Sequence, residues 1–469
     1  MSDDRARTDV APPAASSSPG RLAAAVLIAL LTAQIGLHAA MTGLRLGGPL
    51  LLLRQGLGPW GRAEGAAGVL LACFALMPVL LALPAGRWVD RRGYHRPVRV
   101  CVGLLIGAAA LAVPGAWLGG LMTGGAAAPL PVAVGQFLLL MGAATLAGTG
   151  CNVGLIAMQR TAGHLLQEAA RAAGADPAAR ADPGELRRVF SWMGLAPAIS
   201  NVIGPVLVGV LIDQLGFAAA FGAMGLLPLL TLAMMRRVPR EVRAPSPAAD
   251  DRAGAPGPAP APARHSPREL LLLPGMGALL GLNGFFSSSW DLYAFLVPLL
   301  GHERGLSASA IGSVLGVFAF AVAVVRVAIP LVAGRFSERQ VLGGAAVILA
   351  LCFFIYPWAQ GVAQMAAGAL AIGLALGSVQ PMIMTALHHL APPGQEGEAI
   401  ALRSSIINLS STLLPMAFGA IGAALGPTLL FRGMALLLLV GAAPLSLRLR
   451  LPSHAEPISR GQPVQPNQR

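Results

Sequence analysis

The stretch AGRWVDRRGYHR, Ala85 to Arg96, has a second copy in AGRFSER, Ala333 to Arg339. Both run small residue, Gly, Arg, aromatic, spacer, acid, Arg, and both follow a long apolar run. Gly334 lies 248 residues after Gly86. A second pair, PLLLLRQGL from Pro49 and PLLGHERGL from Pro298, repeats at an offset of 249. Two offsets within one residue of each other indicate two related halves, a common build for membrane proteins with a site between the halves.

Working outward, the 469 residues are 55% hydrophobic and only 11% charged, with a mean hydropathy of +0.69. A soluble domain carries about 25% charged residues, so the expected solvent is lipid. Spans of about 20 apolar residues fall near 22–46, 66–86, 98–119, 130–157, 190–212 and 217–235 in the first half. In the second half they fall near 270–299, 309–333, 341–358, 362–387, 399–423 and 427–447. The expected fold is an all-α integral membrane protein, with about twelve transmembrane helices in two pseudo-symmetric six-helix bundles around a central cavity. Residues 1–21 read as a disordered cytoplasmic tail, 22–235 as the first bundle and 269–450 as the second. Between the bundles, 236–268 is a Pro/Ala/Arg-rich linker, and 451–469 is a second disordered tail.

The net charge is +13, and every one of the 33 basic residues is arginine. No basic soluble domain is visible, so nucleic acid is not expected as a partner. With twelve spans, 26 of the 33 arginines fall on the side of the N-terminus. The excess of arginine on that side places both termini in the cytoplasm. Cys73, Cys101, Cys151 and Cys352 each stand alone in apolar runs, without metal-ligand spacing.

The stretch Gly86 to Arg96 resembles the loop motif of the major facilitator superfamily, between the second and third helices. Gly334 to Arg339 resembles its degenerate copy between the eighth and ninth. The resemblance implies two rocking halves, with Asp90 latching them on the cytoplasmic side against the start of helix eleven. An acid there also suits the positive end of a helix. Arg403, one turn into helix eleven, is an expected further partner for Asp90. By pseudo-symmetry Glu338, followed by Arg339, faces the start of helix five. Gly93 suits a tight turn and Gly86 close helix packing. Arg91 belongs to the motif, whereas Arg92 and Arg96 read as topology anchors.

The stretch SNVIGPVLVG, Ser200 to Gly209, is similar to a helix-five pattern of drug-exporting members. Gly204, Pro205 and Gly209 match it; Ser200 stands where the first Gly would be. It reads equally as a Pro-kinked membrane helix. The Asp in helix one and the Arg in helix four found in many proton-coupled exporters are replaced by other residues here. Helix one offers Gln34 and His38, and helix four offers Gln136, Thr145 and Asn152.

Polar and charged groups within membranes are costly, and usually functional. The candidate cavity and coupling residues are Gln34, His38, Arg45, Asn283, Trp290, Asp291 and Arg326. The Pro49–Pro298 register puts Asp291 one helical turn from the position equivalent to Arg45. We expect those two charges to pair across the halves when the outer gate is closed. Arg326 either binds an anion or snorkels to the interface.

The expected function is a secondary active transporter of a small organic solute in the bacterial inner (plasma) membrane. It is expected to be proton-coupled, with efflux preferred. The alternative is proton-coupled uptake of a small organic anion. A reading of another class is a non-transporting receptor or scaffold on the same fold. No phosphate-binding loop, paired carboxylates or nucleophile elbow argue for an enzyme. Cofactors and metals are not expected. The expected partners are the solute, a coupling ion (a proton) and membrane lipids, with the protein a monomer.

Overall fold

The structure, a computed structural model, describes residues 19–55, 63–120, 130–172, 183–239, 267–332, 336–392, 395–447 and Leu449. Residues 1–18, 240–266 and 450–469, on which the tail and linker expectations mainly rest, lie outside these. Lipid offers no hydrogen bonds to a bare backbone, so the apolar runs close their own ladders as helices. No strand occurs among the described residues.

The elements are α1 (Pro19–Gln55), α2 (Ala63–Arg92), α3 (His95–Gly120), α4 (Leu130–Ala172) and α5 (Pro183–Met235). A short α6 (Pro267–Leu272) precedes α7 (Met276–Glu303), α8 (Ala308–Val332) and α9 (Glu338–Ile355). Then come α10 (Val362–Leu390), α11 (Glu396–Leu425), α12 (Pro427–Leu437) and α13 (Ala443–Leu447). A π turn, Leu438–Ala442, joins the last two into one rod.

Among the described residues, ten stretches are long and apolar enough to cross a membrane. One of them, Met193–Met235, has 43 residues, roughly twice what a bilayer needs. Gly216, at φ 81° and ψ 172°, breaks α5 there, so that element crosses twice. α7 supplies a further crossing of 28 residues, with its hydropathy lowered by Asn283, Ser287, Ser288, Ser289 and Asp291. The chain is therefore a multi-pass membrane protein of about twelve crossings. We call the side where α1 begins the terminal face, and the other the opposite face.

Three boundaries differ from the sequence reading. α1 runs on to Gln55, because Gly47 to Leu53 is as apolar as what precedes it and Pro49 does not end the helix. α4 extends to Ala172. α2 continues to Arg92, so Gly86 and Arg91 lie in its last turns and not in a loop. The turn itself is confined to Gly93 and Tyr94. Gly93 has φ 66°, and its N–H donates to the Val89 carbonyl at 2.9 Å, a left-handed helix cap that favours glycine.

Within the first half α1 lies along α5, and α3 along α4. Side-chain hydroxyls stitch the first pair together. Thr231 Oγ1 donates to the Ala33 carbonyl at 2.6 Å, and Thr42 Oγ1 to the Ser200 carbonyl at 3.1 Å. In the second half α10 packs on α8 and α9. The two halves meet along α5 with α8, α2 with α11, and α1 with α7. Among the described residues no comparable seam joins α4 to α10 or α11.

Candidate functional site

Between the halves lies a cavity of about 310 Å³. α1 contributes His38, Met41 and Arg45 to its wall, and α5 contributes Asn201. α7 contributes Asn283, Ser287, Trp290 and Asp291. Arg326 of α8, Gln380 of α10 and Ser411 of α11 complete the polar lining. Of the three consecutive serines on α7, only Ser287 reaches it. Ser288 and Ser289 donate back to the Gly284 and Phe285 carbonyls at 2.7 and 2.8 Å, the usual fate of a helical serine. Trp290 is held edge-on against Phe318, with 4.7 Å between ring centroids.

At the centre, Arg45 Nη2 lies 3.7 Å from Asp291 Oδ1. The pair joins the first half to the second. Ser411 Oγ donates to the other Asp291 oxygen at 2.9 Å. Asp291 is 4% exposed and Arg45 29%. The carboxylate is thus the more deeply buried partner, and removing its cation would leave it uncompensated.

Arg403 is 7% exposed and points into the second half. Its Nε donates to Asn283 Oδ1 at 3.1 Å, and its Nη2 to Gln380 Oε1 at 2.8 Å. α11 starts at Glu396, so Arg403 is seven residues in, about 10 Å along the axis. The side chain of Asp90, its expected partner, lies outside the described residues. Arg326 lines the cavity and has no ion-pair or hydrogen-bond partner among the described residues. His38 Nδ1 is 3.2 Å from Cys151 Sγ. Gln34 is buried and is not among the cavity-lining residues, and neither of its amide atoms has a partner among the described residues.

A family model described as the Major Facilitator Superfamily matches residues 24–288 and again 279–467. The chain belongs to the major facilitator superfamily. No curated protein matches the chain. Among solved structures, it is similar to a bacterial metal transporter (17% identity, TM-score 0.59). It is also similar to a bacterial homologue of the iron transporter ferroportin in an inward-facing state (19%, 0.61). A third likeness is to an auto-inhibited POT family peptide transporter (13%, 0.60). Each alignment covers 92% of this chain and 98% of the other.

In superfamily terms the signature at the end of α2 is only partly visible. The Asp90 side chain and Gly334 lie outside the described residues. Arg91 and Arg339 are exposed, and Glu338 is half-buried in the first turn of α9. Ser337 caps that helix in a reciprocal box with Gln340. Gly86 was expected to allow close packing, yet a Cβ there would meet open space.

The helix-five motif of the superfamily is a packing device here. A Cβ on Gly204 would overlap Thr42 and the Ala39 carbonyl of α1. A Cβ on Gly209 would overlap the Ala308 carbonyl of α8, and one on Gly312 of α8 the Pro205 carbonyl. Missing side chains let the two backbones touch. All these α5–α8 contacts lie in the half nearer the opposite face.

That seam carries a polar clasp that the sequence did not reveal. Asp213, on α5, accepts from the Ala308 N–H at 3.0 Å and the Ser309 N–H at 2.7 Å, the first residues of α8. Arg54, at the end of α1, lies 3.5 Å from the same carboxylate. Toward the terminal face, α5 and α8 diverge around an apolar crevice of about 610 Å³, lined by residues such as Ile199, Val202, Phe320 and Val327. The halves are thus clasped at the opposite face, and the crevice lies on the terminal side of that clasp.

Proposed function

We propose that the chain is a secondary active transporter that carries a small organic solute by alternating access, coupled to protons through Asp291. The observation that carries this reading is the Arg45–Asp291 ion pair, at 3.7 Å across the halves inside the cavity. A carboxylate paired with a cation in one state and parted from it in the other holds a proton more tightly in the second. Rocking the halves apart at the opposite face separates Asp291 from Arg45. The acid then takes a proton from that side and, on reclosure, releases it toward the terminal face. We assign the terminal face to the cytoplasm, on the arginine distribution. The family and the transporter folds it resembles support the general class.

The experiment is transport by the full chain in liposomes, with a panel of metabolites and an imposed pH gradient. An entrapped pH-sensitive dye reads proton movement. Solute flux should respond to the gradient in the parent protein, and Asp291→Asn should uncouple the two. Flux that ignores the gradient in both proteins would defeat proton coupling.

A further inference from the structure

We infer that the cavity binds an oxyanion, a carboxylate or phosphate group, at a site made by Arg326 together with the amide NH₂ groups of Asn283 and Gln380. This deepens the transporter reading, and rests on it for the word substrate.

Charge is the first ground. The cavity and its immediate wall hold the guanidiniums of Arg45, Arg326 and Arg403. Among the described residues lining the cavity, Asp291 is the only carboxylate. It is already taken by Arg45 and Ser411. Among the described residues, Arg326 and Arg403 are left without a counter-charge. Unpaired charge at membrane depth is costly, and a bound anion would supply the negative charge that the described residues do not.

The second ground is the direction of the donors. A guanidinium only donates, so each amide that Arg403 holds must turn its oxygen toward it. Both Asn283 and Gln380 are held in this way, at 3.1 and 2.8 Å. Their NH₂ groups are therefore turned away from Arg403, on side chains that line the cavity. Asn283 is 3% exposed, and its Nδ2 is itself buried, with no hydrogen-bond partner among the described residues, so a small rotation of the amide would have to bring it to a ligand. Arg403 is a positioning residue: it orients two neutral amides into donors. Three donor groups and no free acceptor carboxylate suit an oxyanion, whose oxygens only accept. A cation or an uncharged sugar would leave Arg326 uncompensated. The volume, about 310 Å³, is that of a small-molecule site.

The oxyanion has two possible sources: a soluble organic anion, or a lipid headgroup. The crevice between α5 and α8 shares Ala198 with the cavity, so the test includes both. Thermal unfolding of the purified full chain is followed with acetate, succinate, citrate, inorganic phosphate and lysophosphatidate. Glucose, tetraphenylphosphonium and matched sodium chloride are the controls. At least one oxyanion should raise the Tm saturably, since a ligand of the folded state stabilises it by mass action. A response to lysophosphatidate alone assigns the anion to a lipid.

Arg326→Gln should raise the Tm of the unliganded protein, because an unpaired charge is removed. The same variant should weaken anion binding by about ten- to a hundredfold, the worth of a charged hydrogen bond. Arg326→Lys should retain part of the affinity, and Arg403→Gln should weaken binding less than Arg326→Gln. The inference is overturned if glucose or tetraphenylphosphonium binds while the oxyanions do not. It is equally overturned if no oxyanion shifts the Tm and Arg326→Gln lowers it, or if Arg326→Gln binds the anion unchanged. Anion binding without transport in liposomes would defeat the transporter reading and leave the site standing. Gradient-driven flux of an uncharged solute, unchanged in Arg326→Gln, would do the reverse.

Discussion

Asp213 caps α8 from the other half of the molecule: one of its oxygens accepts from the Ser309 N–H at 2.7 Å, across the seam between α5 and α8. The second oxygen accepts from Ala308, and Arg54 stands beside the carboxylate. A helix N-terminus is a ready acceptor of negative charge. The clasp forms only while the opposite face is closed, so it weights the conformational equilibrium toward that state.

Asp213→Ala should therefore shift the population toward an opposite-face-open state. Charged hydrogen bonds of this kind contribute about 1–3 kcal/mol, so the shift should be about five- to a hundredfold. Spin-label distances between the opposite-face ends of α5 and α8 would read it. An unchanged distance distribution would mean that the glycine contacts alone hold the seam.

Those contacts give an expectation in the same direction. Gly312→Val places a side chain where the Pro205 carbonyl lies. Backbone cannot yield as a flexible side chain does, so the seam should be wedged open. We expect transport to stop, with a loss of about 1–3 kcal/mol in stability from overpacking. Adding Asp213→Ala to this variant should change little, because the clasp is already broken.

At the centre, Arg45→Asp and Asp291→Arg should each impair transport, and the combination should restore part of it. Asp291 is 4% exposed, so Arg45→Ala strands a buried carboxylate. We expect a cost of about 3 kcal/mol or less, reduced because Arg45 is itself 29% exposed to the cavity. Unfolding of the purified single and double variants, run beside the flux assay, separates a folding defect from a coupling defect.

Asp90→Asn should abolish most transport while leaving membrane insertion intact, if the terminal-face latch operates as the family pattern implies. Arg403→Ala should add to that loss independently. Arg403 is committed to Asn283 and Gln380, and residues without shared partners behave additively. Non-additive losses in the double variant would place Arg403 in the latch.

The architecture was legible because lipid imposes two simple demands, apolar length and internal hydrogen bonding. Repetition of the Gly-Arg signature supplied the two halves. Arg45 and Asp291 were also legible, since a register between the halves gives depth, and depth limits the available partners. Asp213 was not: it is a single acid at the end of an apolar run, and its partners are backbone N–H groups 95 and 96 positions away. Backbone donors carry no residue signature. The amide partners of Arg403 were not legible for a related reason: nothing in the residues of α11 alone says which way that side chain turns. Asn201 and Ser411 went unnoticed as cavity residues because small polar groups on membrane helices usually satisfy themselves locally.

The crevice between the terminal-side halves of α5 and α8 has a thermodynamic corollary. Its walls are apolar, with Phe320 58% and Val327 62% exposed, and in a bilayer such a gap fills with acyl chain. Sealing the terminal side must squeeze that chain back into the leaflet. Tail length, unsaturation and lateral pressure therefore enter the free-energy difference between the two faces of the cycle. The surrounding membrane acts as a tunable spring on the turnover of the protein, even where no lipid is the cargo.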